Sequence, residues 1–134
     1  MKEQPRVLLI DDNPDFCENY GFLLEDQGYR VVTALSGREG LAYFGRERFD
    51  LVITDILMPD VEGIETIREL RKQDKDIPII AVSGGGRNAA DSYLQAAALM
   101  GAQRTLHKPF SFTTLNRTVE ELLCADRTGL FISL

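Results

Sequence analysis

At 134 residues, with 44% hydrophobic and 27% charged positions, the chain has the size and composition of one soluble globular domain. A formal net charge of −6 argues against direct nucleic-acid binding, which needs a basic face, and no apolar run approaches the ~18 residues that span a bilayer, so membrane insertion is not expected. No N-terminal signal peptide is apparent, and Cys17 and Cys124, far apart and without metal-ligand spacing, read as reduced packing residues of a cytoplasmic protein.

In chain order, residues 1–5 read as an N-terminal extension, 6–124 as the folded domain and 125–134 as a C-terminal tail. The first apolar run, RVLLI (6–10), predicts a strand, and the segment after it predicts a helix. There Asn13 can cap, Pro14 suits the first helical position, Asp15 favours the positive helix start, and Gly28 stops the chain after Phe16, Tyr20, Leu23 and Leu24. YRVVTA (29–34) is the second strand; Ser36 and Glu39 then form a capping-box pattern for a helix with Leu41 and Phe44 on its apolar face. DLVITD (50–55) is followed by a helix carrying Ile64, Ile67 and Leu70, and PIIAVS (78–83) by the alanine-rich NAADSYLQAAALM, which ends at Gly101. RTLH (104–107) is the fifth strand, and Ser111 caps the fifth helix. Strands alternating with helices, and runs such as VLLI that are apolar without alternation, predict a parallel sheet buried on both faces in a three-layer α/β/α sandwich.

In such sheets ligands collect outside the carboxyl ends of the strands. At that edge strand one delivers Asp11 and Asp12, strand three Asp55, strand four Ser83 and strand five Lys108 with Pro109 after it. Three carboxylates brought together repel one another, and a hard divalent cation is the natural remedy: oxygen-only ligands suit Mg²⁺, which accepts one or two carboxylates and a phosphate oxygen. A metal seat, a central carboxylate, a hydroxyl and a lysine are the parts needed for phosphoryl transfer. Asp55 is then the nucleophile, forming an aspartyl phosphate, with Lys108 and Ser83 on the phosphoryl oxygens.

Taken together, the acidic pair after strand one, DILMPDVEG (55–63), Ser83 closing strand four and KPF (108–110) closing strand five resemble the receiver domain of two-component response regulators, of the stand-alone type, from about Arg6 to Leu123. The resemblance implies a flavodoxin-like sheet order 2-1-3-4-5 with five helices. It implies that Asp55 takes its phosphoryl group from a histidine kinase or phosphotransfer protein. Asp12, Asp55 and the backbone carbonyl of Leu57 would bind Mg²⁺, with Asp11 acting through a coordinated water. Ser83 would report the phosphoryl group to the loop after it, the Lys108–Pro109 bond would be cis, and Gly63 would admit the backbone conformation of the turn. The chain would be no enzyme beyond its own phosphorylation and dephosphorylation, and a separate downstream protein would read its changed surface.

Two departures stand out. Receivers carry Tyr or Phe three residues before the lysine, where this chain has Thr105, so the output is expected to run through the Ser83 loop and the fourth helix. Glycines 84–86 lengthen the segment after Ser83; a flexible connection is the plainer reading, a phosphate-cradling nest the sharper one, and Arg87 beside them reads as a solvated charge. His107, without a nucleophile beside it, reads as a strand-end residue. A phosphatase of the haloacid-dehalogenase kind needs a second Asp two residues after its nucleophile, where this chain has Leu57; the same apolar position predicts a long-lived phosphoaspartate. A flavin binder needs a phosphate-cradling loop where DDNPD supplies carboxylates, and a metal-free docking module would leave the acidic set without purpose. The apolar GLFISL at the end is open to a partner, to a second copy in a homodimer, or to its own domain.

Overall fold

The computed structural model describes residues 4–56, 63–84, 95–98 and 100–128. Five parallel strands, β1 (Arg6–Ile10), β2 (Arg30–Ala34), β3 (Leu51–Asp55), β4 (Ile79–Ser83) and β5 (Arg104–His107), form one sheet in the order β2-β1-β3-β4-β5. Around it run α1 (Pro14–Asp26), α2 (Gly37–Arg46), α3 (Gly63–Gln73), a fourth helix, α4, whose described part is residues 95–98 and 100, and α5 (Phe112–Thr128). The expected class and strand order are therefore those observed. The last helix continues through residues 125–128, the start of the expected tail; 129–134 lie outside the described residues.

The strands are apolar on both faces because both are covered. Val7 and Leu9 pack with Cys17, Leu24, Leu115 and Val119 under α1 and α5, whereas Leu8 and Ile10 pack with Ile67, Leu70 and Ala97 under α2, α3 and α4. β3 and β4, in the middle, are buried throughout, while the edge strands β2 and β5 are half exposed.

The local signals act as expected, with two refinements. Asn13 Oδ1 accepts from the backbone N–H of Asp15 and of Phe16, and Gly28 leaves α1 at φ 103°. Ser36 Oγ accepts from Glu39 N at 3.0 Å, but the Glu39 carboxylate reaches back to Leu35 N rather than Ser36 N. Ser111 Oγ accepts from Thr114 N at 3.1 Å, and Gly101 ends α4 at φ 119°. At Gly63 a Cβ would lie 1.9 Å from Ile56 Cα, so only a bare backbone lets α3 start against the end of β3. Cys17 is buried, but Cys124 is exposed and so is no packing residue. Among the described residues no helix is long and apolar enough to cross a membrane.

Candidate functional site

Parallel pairing places the last residues of all the strands on one rim. Asp55 closes β3 opposite Val82, Ser83 closes β4 opposite His107, and Lys108 N donates to Ser83 O at 2.8 Å, so the lysine leaves β5 beside the end of β4. Asp11 follows β1 directly, its N–H still donating to Ala34 O at 3.0 Å.

Asp11, Asp12 and Asp55 come together there, each offering a carboxylate oxygen within 4.8 Å of the others. Asp11 and Asp55 are buried and Asp12 is exposed, which leaves the cluster open on one side. Asp11 is engaged at both oxygens: Oδ1 accepts from Asn13 N at 2.9 Å and Oδ2 from Lys108 Nζ at 2.7 Å. Lys108 Nζ also stands 3.7 Å from Asp55 Oδ2. Among the described residues the Lys108 ammonium thus faces two of the three carboxylates, and the donor set is all oxygen. That is the chemistry of a hard-cation seat, and the cluster fits Mg²⁺.

Ser83 is fully buried, and its Oγ finds no hydrogen-bond partner among the described residues. A buried hydroxyl without a partner is costly and calls for an explanation. Gly84 follows it, where a Cβ would come within 3.0 Å of Lys108 Cδ, so the bare glycine gives the lysine stem its path to the rim. The Lys108–Pro109 bond is cis, as the resemblance implied. Burial, and next the charge of Asp11, push the Cys17 thiol below this rim up to about 12, and its Sγ lies 3.3 Å from Asp11 O.

The structure therefore brings together Asp11, Asp12, Asp55 and Lys108, with Ser83 at the adjacent strand end. Leu57, Gly85, Gly86 and Arg87 lie outside the described residues. Thr105 is half-buried on β5 beside Ala81, and His107 is exposed at the strand end. What the sequence did not reveal is Phe16, whose ring centroid lies 4.0 Å from Lys108 Nζ. Its spacing marks it only as part of the apolar face of α1.

The comparisons with known proteins agree with this geometry. Residues 7–120 match the family model described as response regulator receiver domain. The transcriptional regulatory protein GlrR of Escherichia coli is 35% identical over 124 residues, 92% of this chain and 27% of that protein. A response regulator receiver protein of Anaeromyxobacter is 38% identical over 104 residues, 78% of this chain and 42% of its own length. The chain thus spans about a quarter to a half of the curated relatives it matches. Among solved structures, a CheY-like receiver domain protein from Methanospirillum hungatei superposes with a TM-score of 0.88 at 28% identity, covering 95% of this chain and 99% of that one. Response regulator TrrA of Thermotoga maritima, solved in complex with Mg²⁺ and BeF, gives 0.76 at 34% identity, covering 89% and 99%.

Proposed function

Since this chain belongs to the response regulator receiver family, we propose that Asp55 is its phosphoacceptor and that Asp11, Asp12 and Asp55 hold a Mg²⁺ ion the reaction requires. The observation that carries this reading is the Lys108 ammonium set between Asp11 and Asp55 in a cluster of three carboxylates. An Asp55 oxygen attacks phosphorus in line with the bond to the donor. As the new O–P bond forms, the P–N bond to a phosphohistidine breaks, and the imidazole leaves with the electron pair and takes a proton from solvent. Bound Mg²⁺ supplies neutralisation of the charge on the phosphoryl oxygens.

Lys108 offsets part of that charge as a compact ammonium, and the Ser83 hydroxyl, which has no partner among the described residues, donates to another phosphoryl oxygen. Because both Asp11 oxygens are already engaged, Asp11 serves at a remove, through water, while Asp12 stands open to the ion. The donor is a histidine kinase or phosphotransfer protein, and a downstream partner reads the surface altered when Ser83 engages. The Mg²⁺ and BeF complex of the Thermotoga relative supports this reading by likeness.

Intact-protein mass, measured with a small-molecule phosphodonor with and without Mg²⁺, tests it. The expected result is a single Mg²⁺-dependent phosphate adduct in the wild type and none in Asp55→Asn. No wild-type adduct under donor and metal excess would overturn the reading and leave a docking module that is not phosphorylated.

A further inference from the structure

Phe16 is the third residue of α1, and its ring touches the Lys108 ammonium at the rim. Lys108 Nζ lies 4.0 Å from the ring centroid, 2.7 Å from Asp11 Oδ2 and 3.7 Å from Asp55 Oδ2. The ring is itself held: its centroid is 4.5 Å from that of Tyr20 and 6.2 Å from that of Phe110, which meets it edge-on. The Tyr20 hydroxyl donates to Phe110 O at 3.0 Å, tying this aromatic group to the chain just beyond Lys108 and Pro109.

We propose that Phe16 is a positioning residue for Lys108, keeping the ammonium at the rim when the carboxylates turn to a divalent cation. Two cations that share the same carboxylates repel each other. An ammonium on a flexible four-carbon stem, held by the Asp11 and Asp55 carboxylates alone, would be driven toward solvent once Mg²⁺ drew on them. An aromatic face attracts the ammonium through its quadrupole yet offers no oxygen to a hard metal ion. The ring therefore holds the lysine without competing for the metal. The ammonium then meets the phosphoryl oxygen already in place, which matters because ordering a long side chain during the reaction would add to the barrier. Phe16 touches none of the reacting atoms. The consequence for rate rests on the phosphoacceptor reading above; the contact itself does not.

The test follows the Lys108 ε-methylene by NMR in the full chain, with the signal identified by its loss in Lys108→Arg. A ring face beneath it shifts this signal upfield of the other lysines. The shift is expected in the metal-free protein, is expected to persist when Mg²⁺ is added, to vanish in Phe16→Leu and to remain in Phe16→Tyr. With phosphodonor and saturating Mg²⁺, Phe16→Leu should form the adduct about three- to thirtyfold more slowly, the span of a cation–π contact, while Phe16→Tyr stays near wild type. Tyr20→Leu, which loosens the aromatic group without removing the ring, should lower Tm and leave the lysine signal upfield. The proposal is overturned if Mg²⁺ moves the wild-type signal among the exposed lysines, if Phe16→Leu reacts at the wild-type rate, or if Tyr20→Leu shifts the signal as far as Phe16→Leu does. A wild type that takes no phosphoryl group would sink the phosphoacceptor reading, and the lysine signals would still decide the role of Phe16.

Discussion

The two ends of the sheet are built from the same five strands and treat charge in opposite ways. At the amino end Arg6 pairs with Glu47 while its backbone N–H donates to Asp50, and Arg71 spends its guanidinium on the carbonyls of Asp74, Ile77 and Gly101 and on Gln103 Oε1. Arg6 Nε is buried there with no partner among the described residues, but the charge is matched by a half-exposed carboxylate. At the carboxyl end, among the described residues, three carboxylates cluster beside one ammonium, two of them are buried, and the Ser83 hydroxyl beside them is unpaired. The amino end matches its charges among the described residues. Among the described residues the carboxyl end carries an excess of negative charge and an unmet donor, which a cation and an oxyanion together would satisfy.

The largest expected effect comes from the floor of the carboxyl end. Gly63→Ala forces a Cβ into the Ile56 backbone and should lower stability by about 3 kcal/mol or more, read as a shift of the urea midpoint. A near-neutral Gly63→Ala would show that α3 can back away from β3 and that this rim is not rigidly held. Next, Lys108→Met removes the cation paired with buried Asp11 and should cost about 3 kcal/mol in metal-free buffer, the lower end for breaking a buried pair. Arg6→Met, at a half-exposed pair, should cost about 1 kcal/mol or less. Equal losses from these two substitutions would abolish the contrast between the ends. Asp12→Asn sharpens it from the other side. Removing one of three like charges should raise the metal-free Tm slightly and shrink the rise that Mg²⁺ produces; a lower metal-free Tm would mean the carboxylates do not strain one another.

The rim was legible in the sequence because a parallel sheet sends every strand's last residues to the same edge. Strands at RVLLI, LVIT and PIIAVS put Asp11, Asp12, Asp55 and Ser83 on one edge, and RTLH adds Lys108; that they are neighbours there follows from the order β2-β1-β3-β4-β5, which the family resemblance implied. The caps at Asn13, Ser36 and Ser111 were legible because they act within one turn of helix. What escaped depends on distances between elements. Phe16 and Lys108 lie near opposite ends of the chain, and no periodicity in α1 says which neighbour an aromatic ring will meet. Gly63 supplies space as well as a place in the turn the resemblance implied, and that need shows only in the approach of α3 to Ile56. Cys124 was expected to pack, but the apolar stripe of α5 is made by Leu115, Val119, Leu122 and Leu123, and the next residue turns about 100° away from it into solvent.

The smallest effect concerns the thiols. Cys17 sits beneath the rim, where burial and the Asp11 charge hold its pKa at about 12 against an ordinary 9.0. The native thiol therefore stays protonated where the unfolded one ionises. The contribution to stability is fully present below pH 9.0 and is lost as pH rises through the interval to about 12, because ionisation favours the unfolded chain there. Near pH 8, a thiol reagent should modify exposed Cys124 quickly and Cys17 only as fast as the protein opens. Between pH 9 and 11 the wild-type unfolding midpoint should fall more steeply than that of Cys17→Ala, which has no such proton to lose. Rapid modification of Cys17 in the folded protein would mean that solvent reaches beneath the rim. In that event the charges above it would be better screened than their burial implies, and the expected difference between Lys108→Met and Arg6→Met would narrow with it.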